Sequence, residues 1–152
     1  MRNMIEAGFV PSTKVLETRV IPEGYSTMVG GRRYIMKGPV LKLHRLRFAN
    51  EIPMMLEVRY VSMKFCPDIE KQRFDDSLYD IYEKVYKIRM TEIIQDLSAI
   101  TMDIGIREFF DVHEPIPAFL IEGVTFCGID MILEMEKSIY RGDKYRFIVK
   151  AM

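Results

Sequence analysis

Hydrophobic and polar residues alternate over short stretches along most of the chain, and these stretches are rich in Val, Ile, Phe and Tyr. Alternation of this kind, bounded by turn residues, is typical of β-strands. We expect strands over 13–21, 39–48, 54–63, 118–127, 131–140 and 144–150. Residues 49–53 predict a hairpin turn between the second and third of these strands. The stretch 22–38 contains Gly30-Gly31-Arg32-Arg33 and predicts a loop rather than a packed element.

One segment has the period of a helix. Leu78, Ile81, Tyr82 and Val85 form an apolar stripe, and Ser77 stands directly before it as a candidate N-cap. With Asp80 three residues further on, this start resembles a capping box. Residues 89–101 fit a helix or a strand, of which we favour the strand, and a short helix is expected near 104–110. The whole pattern predicts an α+β fold, a mostly antiparallel sheet with a few helices on one side.

Composition limits the class of protein. The chain has 152 residues, of which 49% are hydrophobic, which is enough for one core and one domain over 1–152. Lys plus Arg and Asp plus Glu are both 22, so the chain lacks the positive charge of a nucleic-acid-binding protein. We see neither an apolar run long enough for a membrane span nor a signal peptide, and we expect no membrane association.

Two arginines on the second predicted strand are the first candidates for chemistry. Strand alternation places Arg45 and Arg47 on one face together with Leu41 and Leu43, about 7 Å apart at roughly 3.4 Å per residue. Each guanidinium offers a planar fork of donors to a carboxylate or a phosphate. An anion-binding site and a solvated sheet edge are both compatible with this pattern.

Acidic and hydroxyl residues on neighbouring elements extend the candidate site. If the hairpin pairs Arg45 with Glu57, Glu57 joins the arginine face, whereas a slip of one residue turns it away. Ser77 begins the helix, where unpaired N–H groups attract anions, although a simple N-cap is the commoner use of such a serine. Glu134 and Tyr140 share one face of a late strand with Glu136, which taken alone would be an ordinary solvated face.

Motifs of the common enzyme classes are missing from the sequence. We find no glycine-rich phosphate loop, no zinc-ligand spacing and no serine nucleophile elbow. The sequence therefore favours binding over catalysis, and we expect neither a cofactor nor a metal.

Four blocks of sequence, spread from about Gly8 to Phe147, resemble the UTRA domain, the effector-binding part of HutC-type transcriptional regulators of the GntR family. The blocks are Pro39-Val40-Leu41 running into Arg45-Leu46-Arg47-Phe48-Ala49, then Pro53 with Glu57-x-x-Tyr60, then Asp76-Ser77-Leu78-Tyr79, and finally Ser138-Ile139-Tyr140-Arg141-Gly142-Asp143-Lys144-Tyr145-Arg146-Phe147.

The resemblance implies a chorismate-lyase-like fold that binds a ligand without catalysis, and a cytoplasmic homodimer. It implies a small effector, such as a sugar phosphate or an organic acid, held by Arg45, Arg47, Glu57, Ser77, Glu134 and Tyr140. The arginines and the helix start would meet the anionic group, and the two glutamates would meet a polar or cationic part.

Three departures from the family accompany the resemblance. The winged helix-turn-helix domain that precedes UTRA domains is absent from this chain, so DNA is expected to be bound only through such a domain elsewhere. Residues 25–37 lack the usual short helix, and Glu136 adds a carboxylate that disfavours strongly acidic ligands. The sequence is compatible both with a fragment of a longer regulator and with a natural stand-alone domain. Two alternative functions are also compatible with it: an enzyme of the chorismate-lyase type and a domain that serves only for dimerisation.

Overall fold

The computed structural model describes residues 10–75 and 77–151, which fold mainly into β-strands. In chain order the strands are β1 (Pro11–Ile21), β2 (Gly24–Val29), β3 (Arg32–Lys37), β4 (Val40–Ala49), β5 (Ile52–Ser62), β6 (Glu92–Thr101), β7 (Pro117–Phe126) and β8 (Ile132–Arg141). The helices are α1 (Leu78–Asp80), which continues as a π-helical turn over Ile81–Val85, and α2 (Ile104–Phe110); a 3-10 turn spans Ile69–Lys71. The α+β class is confirmed.

Six strands form one antiparallel sheet in the order β1-β4-β5-β8-β7-β6. Three neighbouring strands come from the first half of the chain and three from the second, and the halves join where β5 pairs with β8. At this junction Leu56 pairs with Ile139 and Arg59 with Glu136. Between these pairs the N–H of Val58 donates to the hydroxyl of Ser138 at 3.3 Å.

Both faces of the sheet are covered, because alternate residues of each strand point to opposite sides. On one face, Leu41, Leu43 and Val61 pack against Leu78 and Tyr82 of the segment 63–91, which links β5 to β6. We call this side the α1 face. The other face packs against α2 at one end and against the β2–β3 hairpin at the other. The prediction that the helices lie on one side is therefore wrong.

The predicted loop over 22–38 is in fact a hairpin. Gly30 and Gly31 have φ values of 58° and 79°, which a two-residue hairpin turn of this hand requires and glycine adopts without strain. The hairpin lies on the sheet, where Met36 is buried and the N–H of Gly30 donates to Asp96 at 3.2 Å. We predicted a loop because the glycines mark a turn without showing that the flanking residues pair.

Two further predictions at element level need correction. Residues 144–150 form no strand; Tyr145 and Phe147 instead pack their rings on Tyr140, with centroids 4.7 and 5.4 Å away. In the predicted helix, Leu78 and Tyr82 are buried as expected, but Val85 is 50% exposed. The π-helical turn rotates Val85 off the apolar stripe because it has more residues per turn than an α-helix.

The other elements follow the predictions closely. The strand predicted over 89–101 is confirmed but begins only at Glu92, and the helix over 104–110 and the hairpin of β4 and β5 are confirmed. Among the residues that the structure describes, no helix is both long and apolar enough to span a bilayer.

Candidate functional site

Charged side chains gather on the α1 face, near the junction of the two halves of the sheet. Arg45 is paired with Glu57 across β4 and β5, which confirms the register that the candidate site requires. Arg47 lies on the same face of β4, and Glu134 and Glu136 reach that face from β8. We call the set of six side chains the charged cluster; its members are Arg45, Arg47, Glu57, Arg59, Glu134 and Glu136.

Burial of the cluster is nearly complete. Arg45, Arg47, Glu57 and Glu134 are each no more than 2% exposed. Charged groups of this kind are almost never so buried unless they are paired, because leaving water is costly for a charge. The solvated sheet edge that the sequence left open is therefore ruled out for these residues.

Glu57 is bound by arginines on three sides. The Nε atom of Arg45 donates to its Oε1 atom at 2.5 Å, Arg47 lies 3.6 Å from the same oxygen, and Arg59 lies 3.2 Å from Oε2. Burial alone would raise the pKa of Glu57, but the three guanidinium groups outweigh it and lower this pKa to about 2. Glu57 is thus a fixed negative charge throughout the physiological pH range.

Arg59 holds the centre of the cluster and was not among the residues that sequence reasoning selected. Its guanidinium contacts Glu57, Glu134 at 2.5 Å and Glu136 at 3.2 Å. A signal existed, since Arg59 stands two residues after Glu57 and so shares its face of β5. The partner Glu136 lies opposite Arg59 across the junction, a pairing that only the structure shows.

The segment 63–91 lies over the cluster and contributes polar groups to it. Arg45 donates to the backbone carbonyl of Phe74 at 3.1 Å, and the Tyr82 hydroxyl donates to Glu134 at 2.5 Å. Burial, and then the negative charge of Glu134, raises the pKa of the Tyr82 hydroxyl well above its ordinary value. Tyr82 is therefore a neutral hydrogen-bond donor to that carboxylate.

The remaining two predicted site residues are Ser77 and Tyr140. Ser77 stands at the N-cap of α1 with an extended backbone, but its side chain makes no capping hydrogen bond, so the predicted capping box is not formed. Tyr140 lies on the same face of β8 as Glu136, and burial and that carboxylate raise its pKa well above the ordinary value. Four of the six predicted site residues thus meet in the charged cluster, Tyr140 lies beside it on β8, and Ser77 lies at the start of α1.

Open space lies elsewhere on the molecule. A cavity of about 680 Å³ opens between β3, the start of β6 and the β7–β8 turn, lined among others by Arg32, Tyr34 and Phe126. A second, of about 340 Å³, lies at the base of the β2–β3 hairpin. Neither is lined by a member of the charged cluster. Within 10–75 and 77–151, no three acidic, cysteine or histidine side chains are placed to hold a metal ion.

Comparison with known proteins gives one consistent result. The family model described as the UTRA domain matches residues 6–146. Over 148 residues the chain is 24% identical to the HTH-type transcriptional repressor NagR of Bacillus subtilis, covering 96% of this chain and 60% of that protein. The chain thus spans about three-fifths of the length of this curated relative.

Solved structures show the same fold. PhnF from Mycobacterium smegmatis superposes with a TM-score of 0.82 at 18% identity, covering 99% of this chain and 67% of that one. The C-terminal domain of the histidine utilization repressor from Pseudomonas syringae superposes with a TM-score of 0.74 at 22% identity, covering 94% of this chain and 99% of that one. At such identities the likeness establishes the fold alone.

Proposed function

Because the chain belongs to the UTRA domain family, we propose that it is the effector-binding and dimerisation domain of a GntR-family transcriptional regulator of the HutC type. In this role it binds a small anionic metabolite, such as a sugar phosphate or an organic acid. Binding then controls how an attached or partner winged-helix domain holds its operator, in the cytoplasm where the DNA lies.

The charged cluster is the observation that carries this proposal. Five of the six charged side chains are buried and the sixth, Arg59, is only 11% exposed, although apolar residues of similar volume often stabilise a protein as well or better. Arrangements that cost stability are typical of functional sites. Arg45 and Arg47 place two guanidinium forks side by side, the donor set that carboxylates and phosphates prefer, and an anionic ligand would compete for them with Glu57, which both arginines now contact.

The position of the cluster supports a sensing role. Its arginines come from the first half of the chain and Glu134 and Glu136 from the second, while Phe74 and Tyr82 of the linking segment contact it from above. A ligand there touches all three parts at once. A small difference in affinity between two arrangements of these parts is enough to shift their populations.

Binding without turnover is the second part of the proposal. The curated relative is a transcriptional repressor, and similar solved domains carry the description of an effector domain or a ligand-binding domain. These descriptions match the mixture of donors and acceptors in the cluster, which suits recognition. Because one fold can carry several functions, conversion of chorismate by the purified chain is measured separately from binding.

The test is a thermal-shift titration of the purified chain with inorganic phosphate, a hexose 6-phosphate and small mono- and dicarboxylates. A specific anion should raise the melting temperature saturably, because it binds the folded state. Arg47→Lys keeps the positive charge but loses the planar fork of donors, and it should lower the affinity for that anion at least tenfold. Arg19→Lys, on the exposed part of β1, is the matched control.

Three results would contradict the proposal. One is the absence of a saturable response to every anion of the panel. Another is equal affinity for the hit in the wild type and in Arg47→Lys. The third is steady conversion of chorismate by the purified chain. Light scattering at micromolar concentration tests dimerisation separately. A chain that is monomeric both with and without the bound anion would contradict the proposed dimer but not the proposed effector binding.

A further inference from the structure

Three carboxylates surround a single side chain of this protein, the guanidinium of Arg59. Its Nη1 atom lies 2.5 Å from Glu134, Nη2 lies 3.2 Å from Glu136, and Nε donates to Glu57 at 3.2 Å. All three carboxylates are buried, with exposures of 5% or less. Nitrogen atoms on every edge of the guanidinium are thus met by a carboxylate oxygen.

An aromatic ring completes this environment. The Arg59 guanidinium carbon lies 5.7 Å from the centroid of the Tyr79 ring, over its face. The Tyr79 hydroxyl also accepts from Nη1 of Arg59 at 3.5 Å. Buried carboxylates combined with an aromatic face are the groups that recognise organic cations, through charge-assisted hydrogen bonds and the ring quadrupole.

Charge counting shows how this environment depends on Arg59. The charged cluster contains three arginines and three glutamates, so its formal charge is zero. Arg45 and Arg47 approach Glu57, whereas Glu134 and Glu136 each form an ion pair with Arg59. Without Arg59, two buried carboxylates on one strand would lose this partner, and burial already raises the pKa of the Glu136 carboxyl.

We propose that Glu57, Glu134, Glu136 and Tyr79 form an organic-cation subsite within the effector site, and that the chain occupies this subsite with its own Arg59. The proposal rests on the proposed function and determines its specificity. An effector with an ammonium or guanidinium group must displace Arg59 to reach the carboxylates, whereas an effector with only anionic and neutral groups need not. Arg59 is therefore a specificity-determining residue that excludes cationic ligands.

Replacement of Arg59 tests the subsite with methylguanidinium, which has the shape and charge of the missing group. The Arg59 side chain is 11% exposed, so the space that it leaves can be reached from solvent. Arg59→Ala should melt below the wild type and regain several degrees, saturably, in millimolar methylguanidinium chloride. The wild type and Arg19→Ala should show no saturable gain, and sodium chloride at equal ionic strength should not replace the cation.

The proposal is overturned if folded Arg59→Ala shows no saturable response to methylguanidinium. Should Arg59→Ala not fold, Arg59→Ala combined with Glu136→Gln removes one uncompensated charge and is tested in the same way. Failure of both proteins to fold even in methylguanidinium also overturns the proposal, because a real subsite would be refilled. These outcomes do not involve anion binding by the wild type, so they are distinguishable from failure of the proposed function.

Discussion

Glu57→Gln is the substitution for which the structure gives the clearest magnitude. Glutamine keeps the shape of the side chain and removes the charge that Arg45, Arg47 and Arg59 share. The pKa of Glu57 falls from 4.5 to about 2 on folding. At about 1.4 kcal/mol per pH unit, this corresponds to about 3 kcal/mol of stability at neutral pH. Removal of one partner of a buried ion pair costs about 3–5 kcal/mol, which agrees.

The expected result is a loss of about 3 kcal/mol in the free energy of unfolding at pH 7, measured by urea denaturation followed by far-ultraviolet circular dichroism. In a chain of this size the loss corresponds to a fall of roughly 6–12 °C in the melting temperature. The matched control is Glu17→Gln, since Glu17 pairs with Lys42 at 3.4 Å on the surface. Such exposed pairs contribute about 0–1 kcal/mol.

The pH dependence of the free energy of unfolding gives a second test of the role of Glu57. A carboxyl whose pKa is lowered by folding adds stability above its unfolded pKa of 4.5 and loses that contribution as the pH falls towards 2. The difference in free energy of unfolding between the wild type and Glu57→Gln should therefore be constant above pH 5 and become smaller below it. Two results would refute the role given to this carboxylate. One is a Glu57→Gln protein that is as stable as Glu17→Gln, and the other is a stability difference from the wild type that stays the same below pH 5.

Three further substitutions can be tested by the same denaturation assay. Burial raises the pKa of Glu136, so Glu136→Gln should be more stable than the wild type at pH 7. This difference in stability should become smaller as the pH falls towards 4.5. A variant less stable than the wild type at pH 7 would contradict the prediction. Gly38→Ala should lose about 1–3 kcal/mol, because the added methyl group would run into the backbone carbonyl of Pro22; an unchanged urea midpoint would show that the turn adapts. Gly105→Ala should gain about 0.5–1 kcal/mol, because the residue is helical and exposed and its new methyl group would lie 3.6 Å from Asp103 at the closest; a loss would mean that the start of α2 is strained.

Much of the sheet could be predicted because alternation in a strand depends only on neighbouring residues. The face shared by Arg45 and Arg47 needed no more than the two-residue period of a strand. The partner strand of Arg45 was harder, because register depends on the geometry of the turn. Asn50 and Glu51 both adopt positive φ in that turn, which asparagine often does and glutamate seldom does, so the sequence indicates only the first of the two.

The parts that could not be predicted depend on contacts distant in sequence. The β2–β3 hairpin owes its place to packing of Met36 with Val40, Val124 and Met135, which come from three other strands. Arg59 was overlooked because its partners Glu134 and Glu136 lie some 75 residues away along the chain. The alternation in 144–150 is real, but Tyr145 and Phe147 are directed by an aromatic cluster rather than by a neighbouring strand.

The junction between β5 and β8 has a mechanical consequence. The backbone N–H of Val58 donates to the side-chain hydroxyl of Ser138 instead of to a backbone carbonyl. Next to this bond, Arg59 of β5 forms ion pairs with Glu134 and Glu136 of β8. Side-chain bonds can lengthen, rotate or exchange partners far more easily than a continuous backbone ladder. Because the backbone pairing of β5 and β8 is interrupted only between Leu56 and Arg59, we expect a change of charge at this gap to alter the local spacing of the two halves before it alters the rest of the sheet.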